Sequence, residues 1–188
     1  MKPESLYQPP NSLAVHYSKF RVAERLLLTG HSPQAWPDCG FEGQLEAWED
    51  AARYVDDKWE RAFAKADRVR RGYAALLDDP GAEIALAENV HELFVRLLSA
   101  LPLRERPRIV TTDAEFHSTR RQLSRLAEEG VEIVRVSHTP AADVAPRLAA
   151  AVDDRTVLVV VSAVFFLNAH IVPGLNVVAQ ACARVGAR

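Results

Sequence analysis

The chain has 188 residues and a formal net charge of −2, with 48% apolar and 26% charged residues. This length suits one substantial α/β domain with an appended helical arm, and the slight negative charge offers no basic footprint for nucleic acid. No apolar run reaches the ~20 residues that span a bilayer, and the polar, proline-containing residues 1–10 lack the apolar core of a signal peptide, so a cytoplasmic protein without membrane contact is expected.

The two cysteines, Cys39 and Cys182, are far apart and make no disulfide framework. Together with the six scattered histidines they show no metal-ligand spacing, and no metal site is expected. Cys182 falls on the apolar face of a predicted helix and reads as a buried thiol.

Residues 1–79 read as an N-terminal arm and helical segment. Over residues 43–78, Leu45, Trp48, Ala52, Val55, Trp59, Phe63 and Ala66 recur at three- and four-residue steps, the spacing of one helix face. No proline interrupts the stretch, and Gly72 is its candidate break. Asp79-Pro80-Gly81 then marks a turn.

Residues 80–188 change texture. Strands are predicted at 83–87, 108–112, 131–136 and 156–161, and helices at 90–101, 118–129, 142–152 and 175–185. Gly130 is placed to end the second of these helices. Such alternation predicts an α/β fold with a mostly parallel, doubly wound sheet and helices on both faces. The all-apolar 156–161 has the composition of a central strand buried on both sides.

The first helix of this region has a defined start: Asn89 can cap it, with Glu92 at the third position of a capping box. A helix N-terminus at the carboxyl edge of a parallel strand offers free N–H groups and partial positive charge to a phosphate. The same residues also suit a capped core helix without a ligand. No Gly-rich loop gives a nucleotide motif.

Three stretches follow in order: Leu28-Thr29-Gly30-His31-Ser32 with Gln34-Ala35-Trp36-Pro37 and Val55-Asp56-Asp57-Lys58-Trp59; then residues 88–94; then Glu115-Phe116-His117-Ser118-Thr119. Together they resemble the kynureninase branch of the class V aminotransferase superfamily, pyridoxal-phosphate (PLP) enzymes of fold type I. The second falls where the superfamily carries its phosphate cup, and the third is similar to the motif whose ring stacks on the cofactor's pyridine. Similarity continues through Ser162-Ala163-Val164 and the last helix, covering nearly the whole chain. As an ordered set these stretches are more specific for class V than for kynureninase.

The resemblance implies the first part of a fold type I large domain, incomplete, and a homodimer. Asn89, Val90 and His91 would form the phosphate cup, although the family has a Thr or Ser pair there and Val90 offers only its N–H. Phe116 would be the stacking ring, or else a core aromatic at a helix entry. Ser118 and Thr119 would lie near the cofactor as helix-start hydroxyls, or serve as ordinary caps. Ser162 would face the same sheet edge, or satisfy local backbone. His31 and Ser32 would be on the substrate side. Trp36, Trp48 and Trp59 would line an aromatic-substrate pocket, or form a core or interface.

The implied reaction is hydrolysis of kynurenine to anthranilate and alanine, with cysteine desulfurase or related C–S lyase chemistry as the alternative. PLP chemistry needs a lysine to hold the cofactor and an acid at its ring nitrogen. The four lysines, Lys2, Lys19, Lys58 and Lys65, all precede the α/β region, and no catalytic residue is assigned in this chain. The natural protein is expected to continue beyond Arg188. A non-catalytic α/β module that retains the fold is the other expectation.

Overall fold

The computed structural model describes residues 12–25, 27 and 34–188. It divides into two compact units, Met1–Ile84 and Ala85–Arg188.

In the first unit, a 3-10 stretch at Ala14–Phe20 precedes two helices, α1 (Asp38–Tyr54) and α2 (Lys58–Leu76). The single helix expected over 43–78 is therefore corrected, and its break lies at Val55 instead of Gly72. Val55 has φ 47° and ψ −105°, a conformation strained for a β-branched residue. It opens the short 3-10 turn Val55–Asp57, while Gly72 sits inside α2. Ion pairs bind the helices together: Lys65 to Glu46 at 2.9 Å and to Asp50 at 3.3 Å, and Arg61 to Asp50 at 2.9 Å. The periodic apolar stripe builds no core here. Leu45, Trp48, Trp59 and Phe63 are exposed, Trp48 to 79%.

The second unit carries α3 (Val90–Ser99), β1 (Arg108–Thr112), α4 (His117–Glu128), β2 (Glu132–Val136), α5 (Val144–Ala151), β3 (Thr156–Val160) and α6 (Leu175–Val185). The strand expected at 83–87 is absent. A strand needs a ladder partner for its backbone groups, and among the described residues none lies beside this segment. The three strands form a parallel sheet in the order β2-β1-β3. β1 is thus central, and the all-apolar 156–161 segment lies beside it. On the far side of β3, Arg188 donates its N–H to Val157 O at 3.0 Å and accepts from Val159 N at 2.8 Å. That exchange is the pattern of a parallel ladder.

Alternating side chains send the sheet into two cores. On one face Ile109 and Leu158 pack with Phe94 and Leu98 of α3 and Leu123 of α4. On the other, Val110 packs with Val144 and Leu148 of α5, Phe165, and Val178 and Cys182 of α6. Burial pushes the Cys182 thiol up from its ordinary pKa. Gly130, at φ 93°, closes α4: its N–H bonds Ala127 O and the Val131 N–H bonds Leu126 O. These two bonds form a Schellman motif, and the positive φ favours glycine there. Among the described residues no helix is long and apolar enough to cross a membrane.

Candidate functional site

The connections decide where this sheet can bind a ligand. From β1 the chain leaves through α4 to β2 on one side. From β3 it leaves through α6 toward Arg188 on the other side. The loops after β1 and β3 therefore diverge, and a crevice opens between the carboxyl ends of these adjacent strands. Such a switch point is where open α/β sheets bind ligands.

Glu115 ties the two sides of that crevice together. Although only 5% exposed, its carboxylate accepts three hydrogen bonds. Thr112 Oγ1 donates to Oε1 at 2.7 Å, Ser162 N to Oε1 at 3.1 Å, and Ser162 Oγ to Oε2 at 2.6 Å. A buried carboxylate is tolerated when its lone pairs are filled in this way. The next residue, Phe116, precedes α4 and is 52% exposed. Its ring meets Phe166 edge-on, with centroids 5.3 Å apart at 84°. His117 completes the cluster at 5.5 Å from Phe116 and 5.0 Å from Phe166. Phe166 rides on a tight turn closed by the antiparallel bridge Val164–Ile171 and by Phe165 N donating to His170 O.

Glu115 is accordingly expected to matter through its bonds more than its charge. Glu115→Ala leaves the buried Thr112 and half-buried Ser162 donors unpaired and should cost about 2–3 kcal/mol. Glu115→Gln keeps an oxygen and lets the Ser162 hydroxyl reverse, so its cost should be about 1 kcal/mol or less. Urea denaturation of both variants measures the difference.

Of the residues singled out in the sequence, Phe116 directly follows Glu115 in the chain, and the Ser162 hydroxyl is committed to Glu115. Ser118 is half-buried in the first turn of α4, and Thr119 is buried on the same face as Leu123. The sequence of α3, Ala100–Pro107 and β1 is a short return, with Leu101 and Leu103 packed on the core that holds Ile109. Helix α3 places Phe94 and Leu98 in that same core. Asn89 caps it, accepting from Glu92 N at 3.0 Å. Val90 is exposed, and the enclosed Nδ1 of His91 has no partner among the described residues. Thr111, in the carboxyl half of β1, also buries an unpartnered hydroxyl. His31 and Ser32 lie outside the described residues. Trp36, Trp48 and Trp59 are all exposed.

A second pair lies on the other flank of β1. Asp113 Oδ1 accepts from His138 Nδ1 at 2.7 Å and from His138 N at 2.9 Å. Partial burial of Asp113 opposes its ionised form, but the bonds from the His138 ring and backbone outweigh it and hold the carboxyl below its ordinary pKa. The sign of the linkage follows: a group depressed on folding stabilises above its unfolded pKa and loses that stability in acid. The stability gap between the protein and Asp113→Asn should be constant well above pH ~4. It should close as pH falls through the lower folded value, as read by thermal melts across that range. Because Asp113 is 47% exposed, solvent screening keeps the gap small.

Glu115, Phe166, Asp113 and His138 are absent from the sequence-derived site. One signal was available: Asp113 and His138 each follow closely on a strand end, and adjacent parallel strands bring such loops together. Comparison with protein-family models and with curated proteins gives no match.

Proposed function

We propose that the Ala85–Arg188 unit binds pyridoxal 5′-phosphate in the β1/β3 crevice, as the first part of a fold type I domain in an enzyme acting on an amino acid. The observation that carries this reading is the half-exposed Phe116 ring beside the buried Glu115–Ser162 link, at the switch point of a parallel sheet.

The residues present suit two of the cofactor's groups. The phosphate would sit at the start of α3, on the N–H groups of Val90 and His91, with Asn89 holding the turn. The ring would lie against Phe116, with Ser162 at the strand end and Ser118 and Thr119 in the first turn of α4. The unit holds no lysine, since Lys2, Lys19, Lys58 and Lys65 all precede it. Nothing within it can tether the aldehyde, and binding by this unit is reversible. When bound in a complete site, the cofactor supplies an electron sink for bond cleavage next to the amino-acid nitrogen. Kynureninase-type hydrolysis, yielding anthranilate and alanine, is the reaction the family resemblance favours. Desulfurase or C–S lyase chemistry would use the same crevice. The missing lysine favours a second reading for the 188-residue chain taken alone, a non-catalytic phosphate-binding module. Homodimer formation belongs to the same proposal, and the exposed Leu45, Trp48, Trp59 and Phe63 are consistent with a covered face.

The test is a titration with pyridoxal phosphate and with pyridoxine phosphate, which lacks the aldehyde. The two should bind weakly and about equally, and free pyridoxal should bind worse. Phe116→Ala should weaken binding about tenfold through the lost stacking. Val90→Pro deletes one free N–H at a helix position that accepts proline, and should weaken it by a similar factor of about ten. Borohydride reduction should label the four lysines only in scattered, substoichiometric amounts. Tight binding of free pyridoxal, or indifference to both variants, would sink the reading.

A further inference from the structure

The Asp113–His138 pair is built more rigidly than a surface contact requires. Asp113 accepts from both the ring Nδ1 and the backbone N–H of His138, which fixes the Nδ1–H tautomer and the position of the ring. Arg147 of α5 clamps the same loop from both sides. Its Nη1 donates to Ser137 O at 3.2 Å and to Thr139 O at 2.6 Å, the carbonyls that flank His138. Asp143 in turn holds Arg147 at 3.2 Å. The imidazole stands edge-on to the fully buried Phe165, with centroids 5.8 Å apart at 83°. Asp113 and Phe165 thus hold the ring itself, and Arg147 holds the backbone on either side of it.

The atom left over is Nε2. It makes no hydrogen bond among the described residues and is not one of their enclosed polar atoms. With the ring 27% exposed, Nε2 faces solvent as an acceptor. Thr139, the next residue along the chain, lines a recess of ≈ 430 Å³ together with Pro140, Ala141, His170 and Ile171. Its walls are mainly apolar, and its volume suits a small organic molecule.

We propose that Asp113–His138 is an acid–base dyad that activates water against a small, largely apolar acyl compound held in this recess. His138 is the catalytic residue and Asp113 the positioning residue. In the step, a water O–H bond breaks and its proton forms the Nε2–H bond. The hydroxide oxygen bonds to the carbonyl carbon, and the ester's leaving group departs with its electron pair. The imidazolium then returns its proton to solvent, and the carboxylate of Asp113 stabilises its charge meanwhile. Asp113 on the ring, Arg147 with its partner Asp143 on the flanking carbonyls, and His170 in the wall of the recess are the charged or titratable groups of this site. No pyridoxal phosphate takes part, so this proposal stands or falls separately from the cofactor reading.

The experiment follows hydrolysis of p-nitrophenyl acetate by the full chain without cofactor. His138→Gln should lower the rate by about 10²-fold while thermal melting is unchanged. Asp113→Asn should lower it by at least about tenfold, and the wild-type rate should fall in heavy water, a change that a purely structural pair would not give. A rate for His138→Gln equal to wild type, or a wild-type rate no higher than that of an equal concentration of free imidazole, overturns the proposal. Should His138→Gln fail to fold, carbethoxylation of the unmutated protein decides. Diethyl pyrocarbonate should modify His138 at least as fast as the exposed His117, read by peptide mass mapping. A His138 left unmodified when His117 is fully modified overturns it equally.

Discussion

Phe165→Ala will bring the α/β unit close to unfolding. Phe165 is fully buried and is the largest of the fully enclosed side chains. It sits in the core that joins Val110 of β1 to α5 and α6. Truncating a buried Phe costs about 3–5 kcal/mol through lost transfer energy and the cavity left behind. Against a domain stability of about 5–15 kcal/mol, that is a large share. The backbone of Phe165 also anchors the β3–α6 turn, donating to His170 O and accepting from Ala169 N. Its removal should therefore loosen the His138 ring and the Phe166 side of the crevice as well. Phe166→Ala, at a half-exposed neighbour, should cost about 1 kcal/mol or less. Every tryptophan and tyrosine of the chain precedes Ala85. The measurement is therefore urea denaturation followed by far-UV circular dichroism, since tryptophan fluorescence reports the other unit.

Arg106→Leu should have the next largest effect, at about 2–4 kcal/mol. The guanidinium donates to four backbone carbonyls: Asp154 O at 3.1 Å, Gly186 O at 3.0 Å, Val185 O at 2.9 Å, and Thr156 O. Two of these are the last carbonyls of α6, the negative end of its dipole. The other two belong to the entry into β3. One side chain thus satisfies carbonyls that the fold leaves without partners at a helix end and a strand start. Leucine keeps the bulk and removes every donor. Lysine retains the charge but cannot fork, so Arg106→Lys should fall between the two. The loss should be largest for exchange of the Arg188 and Val159 amides, which depend on that junction.

Much of the α/β unit was legible in the sequence because its elements announce themselves locally. Strands β1, β2 and β3 are short β-branched runs, and α4 ends at the glycine that its last turn needs. Helix α6 was bounded as it stands, at Leu175–Val185. The segment 83–87 has the composition of a strand but no neighbour to bond, and composition alone does not supply a partner. The order of strands was illegible for the same reason: 156–161 is bonded on both edges, by β1 and by the backbone of Arg188, but the middle of the three strands is β1, which contains two threonines. In the arm, the periodicity was read correctly as helical. The break at Val55 has no local signal, because a β-branched residue is the last type expected at positive φ. At the crevice, the sequence singled out Phe116 and Ser162 but not the Glu115 bonds that tie their loops together. A glutamate inside a motif reads as solvated until its three donors are seen, and these come from two different loops. The Asp113–His138 pair is separated by 25 positions, and only strand pairing closes that distance.

The corner at Val55 lies between the two helices of the arm. Backbone strain at such a residue is on the order of 1–3 kcal/mol, and it is intrinsic to the chain. The pairs that Asp50 and Glu46 make with Arg61 and Lys65 across the corner leave both cations partly exposed, where dissolved salt screens them. Ionic strength therefore acts on one side of this balance only. In concentrated salt the clasp weakens while the strain persists, and the angle between α1 and α2 becomes a property of the buffer as much as of the sequence.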